Sequence, residues 1–88
     1  MPSYLVETYL ASSRADERAA REERARSAAD ELSRAGTRVS FGGAIHVPED
    51  EICFFVFGAS SSEEAVRAAD LAALDPVRVV EAVTSGEE

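Results

Sequence analysis

Lysine and tryptophan are absent from this chain, and histidine, cysteine and methionine occur once each, beside five glycines and three prolines. Without lysine, nine arginines carry all the positive charge against 17 acidic residues, for a formal net charge of −8. An acidic chain with no basic run is a poor partner for nucleic acid or for an anionic membrane surface, whose phosphates need clustered cations. One cysteine excludes an intramolecular disulfide and fits a reducing compartment. No apolar run approaches the roughly 20 residues that cross a bilayer. Met1-Pro2-Ser3-Tyr4 lacks the charged start and apolar stretch of a signal peptide, so the expected location is cytoplasmic. Nor is there a phosphate loop, a Ser-His-Asp set or a metal motif, and no cofactor is assigned.

What is present is the composition of one globular domain, 45% hydrophobic and 30% charged in 88 residues. The domain is expected over residues 1–84, with 85–88 as a frayed tail. A chain this short buries only about 60% of its unfolded surface, which favours self-association.

Tyr4 to Leu10 is rich in aromatic and β-branched residues and predicts a strand. Arg14 to Ala35 holds alanine, glutamate and arginine without a breaker, after Ser12 and Ser13 as cap candidates and before Gly36 as a stop. Val39 to Val47 alternates, with Val39, Phe41, Ile45 and Val47 on one side. Pro48 to Glu51 is a turn, and Ile52 to Phe57 a central strand. Ser60 to Glu64 has capping-box spacing for a second helix to about Leu74, with Ala65, Val66, Ala69, Ala72 and Ala73 as its apolar side. Asp75-Pro76 breaks that helix, and Val77 to Val83 is a last strand. The order predicts an α+β, ferredoxin-like βαββαβ fold, a four-stranded antiparallel sheet with two helices on one face.

A four-residue hairpin loop pairs Val47 with Ile52, and then His46 with Cys53, Ala44 with Phe55 and Gly42 with Phe57. Keeping the aliphatic side of the second strand under the helices puts Cys53, Phe55 and Phe57 on the open sheet face. Two aromatic rings there demand a cover, either a second copy of the chain or a small apolar or anionic ligand. Glu7 and Tyr9 share that face, and Glu81 interrupts an apolar last strand. Two carboxylates in an apolar cleft would shift each other's pKa and serve as acid and base; paired with arginines such as Arg78 or Arg38, they are structural. His46 beside Cys53 would make a Cys–His dyad or half of a soft-metal site, against the plainer reading of a hairpin histidine next to a buried thiol. Arg14, Arg18 and Arg21 continue the seam of Ala25, Ala28 and Leu32 at helical spacing, as an anion-binding set or as a solvated helix end.

Tyr4-Leu5-Val6-Glu7, Val47-Pro48-Glu49-Asp50-Glu51 with Cys53-Phe54, and Val79-Val80-Glu81-Ala82-Val83 resemble a small actinobacterial domain-of-unknown-function family. That family includes a nickel-binding, nickel-responsive protein. The resemblance spans nearly the whole chain and implies a ferredoxin-like fold and homodimers. It implies nickel-binding histidines near the first strand and in the second helix region, yet Thr8-Tyr9-Leu10 and residues 67–74 contain none. Glu7 and Glu81 match its pattern without a role, while Arg18 and Arg21 stand where relatives tend to have leucine. Three functions are therefore carried forward. The first is a homodimer binding a small molecule on the open sheet face, through Phe55, Phe57, Cys53, Arg18 and Arg21. The second is a cofactor-independent cyclase, isomerase or monooxygenase of the dimeric α/β-barrel type in natural-product biosynthesis, using Glu7, Glu81, His46 and Tyr9. The third is binding of nickel or another soft metal through His46 and Cys53.

Overall fold

The computed structural model describes residues 1–83, and the expected tail at 85–88 lies outside them. Strand β1 (Ser3–Tyr9) leads through a 3₁₀ turn (Ser12–Arg14) to helix α1 (Glu17–Arg34). Strand β2 (Val39–Val47), a 3₁₀ turn (Pro48–Asp50) and β3 (Ile52–Ala59) form the hairpin. Helix α2 (Ser62–Leu71) and strand β4 (Arg78–Ala82) complete the chain. The strands lie in the order β2-β3-β1-β4 with every neighbouring pair antiparallel, which is the ferredoxin-like arrangement.

Each helix ends for a local reason. Neither Ser12 nor Ser13 caps α1; the chain first makes the 3₁₀ turn, and no side chain caps the helix that follows. At the far end Gly36 takes φ +103°, and the Gly36 and Thr37 N–H groups donate to the Ser33 and Leu32 carbonyls, the Schellman pattern. Ser61 caps α2 by accepting from the Glu64 N–H, and the Glu64 carboxylate accepts from the Ser60 N–H. Helix α2 stops at Leu71, short of Leu74, because Ala73 turns left-handed (φ 59°). The Ala73 and Leu74 N–H groups then close back on Asp70 and Ala69. A β-carbon in that conformation costs roughly 1–2 kcal/mol. Across the helix pair, Arg24 of α1 donates to the Ala72 carbonyl at 2.8 Å and to the Ala73 carbonyl at 3.4 Å, and so holds the turn in place.

Both helices bury small residues in one core with the covered sheet face: Ala25, Ala28, Ala29 and Leu32 from α1, Ala65, Ala68 and Ala69 from α2. Val66 and Ala73, expected on the apolar side of α2, point outward, while Ala68 and Leu74 take core positions. Tyr4, Val6 and Leu10 face inward as expected, with Thr8 beside them.

The hairpin departs from expectation at one residue. From Val47–Ile52 to Gly43–Val56 the register is as expected, but Phe57 then pairs with Phe41 and not with Gly42. Gly42 is the extra residue of a β-bulge, and Gly43 takes φ +116°. An inserted residue flips the alternation of side chains. Val39 and Phe41 therefore lie under the helices, whereas Ile45 and Val47, four and six residues beyond Phe41, lie on the open face. Cys53, Phe55 and Phe57 are fully buried beneath the helices, and Phe54 and Val56 take the open side. This reverses the expected facing of β3 and of the second half of β2. The Phe41 ring packs at 6.4 Å from Phe55 and 5.4 Å from Phe57 between centroids, and the Arg26 guanidinium sits 5.5 Å above it.

Candidate functional site

The strand registers divide the expected site residues between the two sides of the sheet. Glu7 and Tyr9 lie on the open face, as expected. Glu81 pairs with Tyr4 and so belongs to the covered side, at the outer strand. The two carboxylates do not converge: Glu7 instead accepts a hydrogen bond from Arg78 Nε at 2.8 Å, on the directly opposite residue of β4. His46 and Cys53 are neighbours across the hairpin, but on the covered side, so the dyad is not on the open face. The His46 Nε2 lies 3.4 Å from the Leu10 carbonyl, and Cys53 is wholly inaccessible. Burial pushes the Cys53 thiol up, opposed in part by the charges of Arg18 and Arg21. Thr8 donates its hydroxyl to the Cys53 carbonyl at 2.9 Å, which satisfies the buried polar side chain of this row. Among the described residues no three His, Cys, Asp or Glu side chains are grouped to hold a metal ion.

Phe55 and Phe57 are withdrawn from any ligand on the open face by the bulge that buries them. What replaces them is still apolar. Reading across β4, β1, β3 and β2, the open face shows Val80, Leu5, Val56 and Gly43, then Arg78, Glu7, Phe54 and Ile45. Tyr9, Ile52 and Val47 follow at one end. Ile45 is 52% exposed and Tyr9 71%. Four strands spaced about 4.8 Å apart and about seven residues long give a footprint of roughly 440 Å². That is within the roughly 300–600 Å² of the largest patch on a typical monomer, and Glu7–Arg78 is the one ion pair the face carries among the described residues.

Tyr9 also marks the rim of a second feature, a cleft of about 550 Å³ at the end of the sheet where β1 leaves it. Its walls are Leu10 and Ala11, Arg14 and Arg21, Glu51 of the hairpin, and the loop from Leu74 to Val77. Backbone bonds tie these walls to β1, from the Leu10 N–H to the Glu51 carbonyl and from the Val77 N–H to the Glu7 carbonyl. Glu51 and Asp75 both hold left-handed backbone (φ 58° and 54°), a costly conformation that concentrates at functional sites.

The arginine seam splits here. Arg18 points away to Glu22 at 3.3 Å, half-exposed. Arg21, its side chain only 20% exposed, donates to the Tyr9 carbonyl at 2.9 Å and reaches Glu17 at 3.4 Å. Arg14 binds the same carboxylate at 2.6 Å, and this hydrogen bond is the main cause holding the Glu17 carboxyl below its usual range. Of the arginines and Tyr9 singled out in the sequence, the structure brings together Tyr9, Arg14 and Arg21. The loop that completes the cleft was visible only as the breaker Asp75-Pro76. Nothing in the sequence announced Arg24 as the clamp beneath it.

Comparison of the chain with protein-family models, with curated proteins and with solved structures finds no match. Among the described residues no helix is long and apolar enough to cross a membrane.

Proposed function

We propose that the protein is a small-molecule-binding homodimer, in which the open sheet face is the contact between copies and the cleft at the end of β1 takes the ligand. The observation that carries the proposal is the uncovered apolar face, which runs across all four strands around Leu5, Phe54 and Val56. A second copy of the chain is the occupant that matches its area. Two flat footprints sum to roughly 900 Å², at the weak end of specific protein pairs, so association is expected in the micromolar range. Phe54→Asp places a charge in the middle of this contact without touching the core. Sedimentation equilibrium is expected to show a concentration-dependent dimer for the native chain and a folded monomer for the variant. A native chain that stays monomeric at hundreds of micromolar would overturn the reading.

The cleft supports a ligand of defined character. Its volume falls within the roughly 300–1,000 Å³ of small-molecule sites, and Leu10, Leu74, Pro76 and Val77 offer an apolar bed. Along the 3₁₀ turn and α1, the Arg14 and Arg21 guanidinium groups share one carboxylate, Glu17, which leaves one positive charge in excess on that wall. Glu51 and Asp75 bring these five side chains together to −1, two arginines against three carboxylates. Glu51 and Asp75 on the other walls oppose a dianion. A monocarboxylate with an apolar body satisfies both conditions. Titration with 3-phenylpropionate is expected to raise the melting temperature of the native chain, through ligand bound to the folded state alone. The rise should be lost in Arg21→Gln and reduced in Arg14→Gln. No rise at millimolar ligand would remove the carboxylate assignment and leave the dimer standing.

A further inference from the structure

The cleft at the end of β1 carries charge of both signs, held on separate walls. Arg14 and Arg21 stand on the side of the 3₁₀ turn and α1, where Glu17 takes up only part of their hydrogen-bonding capacity. Arg21 gives one N–H to the Tyr9 carbonyl and one to Glu17, and a guanidinium has five to give. Glu51 at the end of the hairpin turn and Asp75 in the loop before β4 stand on the other walls. Among the described residues neither of these carboxylates has an ion-pair partner, whereas Glu17 has two.

Both are also set where their residue type is unfavourable. Their left-handed backbone is one that glycine adopts freely and a residue with a β-carbon does not. Each position is anchored to β1, Glu51 through its carbonyl to the Leu10 N–H at 2.9 Å, and the Asp75 loop through the Val77 N–H to the Glu7 carbonyl at 2.7 Å. A carboxylate ligand alone leaves these walls unused and works against them. With two arginines against Glu17, Glu51 and Asp75 the site stands at −1, and a monocarboxylate takes it to −2. A ligand that brings an ammonium group as well leaves it at −1.

We propose that the cleft binds an amino acid with an apolar side chain. Its carboxylate meets Arg14 and Arg21, its ammonium group faces Glu51 and Asp75, and its side chain lies on Leu74, Pro76 and Val77. This rests on the cleft being a carboxylate site, and it goes further by giving the ligand a second charged end and the two strained acidic residues a use.

Three probes share one phenyl body: 3-phenylpropionate carries the carboxylate alone, 2-phenylethylamine the ammonium alone, and L-phenylalanine both. Their dissociation constants are read from amide chemical-shift titrations at neutral pH and one salt concentration. L-Phenylalanine is expected to bind the native chain about fivefold more tightly than 3-phenylpropionate, the worth of one solvent-exposed ion contact, and more tightly than 2-phenylethylamine. In the double variant Glu51→Gln, Asp75→Asn the preference over 3-phenylpropionate should fall within about twofold, with 3-phenylpropionate itself held at least as well as by the native chain. The amide spectrum shows whether that variant is folded, and Asp75→Asn alone serves if it is not, since asparagine tolerates left-handed backbone. Binding of 3-phenylpropionate as tight as that of L-phenylalanine, or a preference unchanged in the variant, overturns the ammonium end and leaves the carboxylate site standing. Equal binding of 2-phenylethylamine and L-phenylalanine overturns the two-ended ligand from the other side. No binding of any probe at millimolar concentration overturns the inference together with the reading on which it rests.

Discussion

Cys53 shows how far a residue's chemistry depends on which side of a strand it faces. Enclosed in the core and without accessible surface, its thiol is protonated at neutral pH, since burial raises its pKa. Iodoacetamide is expected to leave it unmodified in the folded protein, with labelling followed by mass spectrometry only as fast as the chain opens. Immediate labelling would place the thiol outside the core. Glu17 is the opposite case, a partly exposed carboxylate between Arg14 and Arg21. Its folded pKa lies below 4.5, so its contribution to stability is present above that value and is lost as pH falls through the folded pKa. In Arg14→Gln its carbon resonances should titrate closer to 4.5; an unchanged midpoint would deny Arg14 its role. Single residues were partly legible in the sequence. The inward setting of Tyr4, Val6 and Leu10 follows from alternation alone, and Arg78 was a visible partner for Glu7. The pairing of Arg14 and Arg21 across one glutamate was not, because helical spacing gives the face and not the hydrogen-bond partner.

Among the elements, the helix ends were legible where a residue type has a single backbone use. Gly36 closes α1, and Ser61 opens α2, as their chemistry requires. Ala73 gave no such signal, because alanine in a left-handed turn is chosen by its surroundings, here the Arg24 side chain over the end of α2. Ala73→Gly removes the β-carbon strain but loosens the unfolded chain, and these offset in part. The net expected effect is a gain of roughly 0.5–1 kcal/mol in urea unfolding, whereas a loss would mean that the alanine methyl packs favourably. The same kind of gap explains the inverted faces of the hairpin. Strand alternation carried straight through Gly42-Gly43 gives the wrong side, because paired glycines in a strand are where an extra residue is most easily accommodated.

For the whole molecule, two Ala-rich helices over a four-stranded sheet make a thin core in a chain of 88 residues, short enough that the buried share of its surface is modest. In the proposed dimer, association adds the burial that the helices do not supply. The melting temperature should therefore rise with protein concentration in the native chain and become independent of it in Phe54→Asp. A concentration-independent native transition at the same ionic strength would show that folding and pairing are not linked. The topology itself was legible, because element order and crossover handedness leave few arrangements open. The sides of the sheet were not, since one inserted residue decides them.

That insertion divides the labour of β2. Before Gly42 its large side chains, Val39 and Phe41, face the core; after Gly43 its large aliphatic ones, Ile45 and Val47, face the open side. Substitutions at Val39 or Phe41 should therefore be felt as lost folding, and those at Ile45 or Val47 as lost company, within nine consecutive residues of one strand.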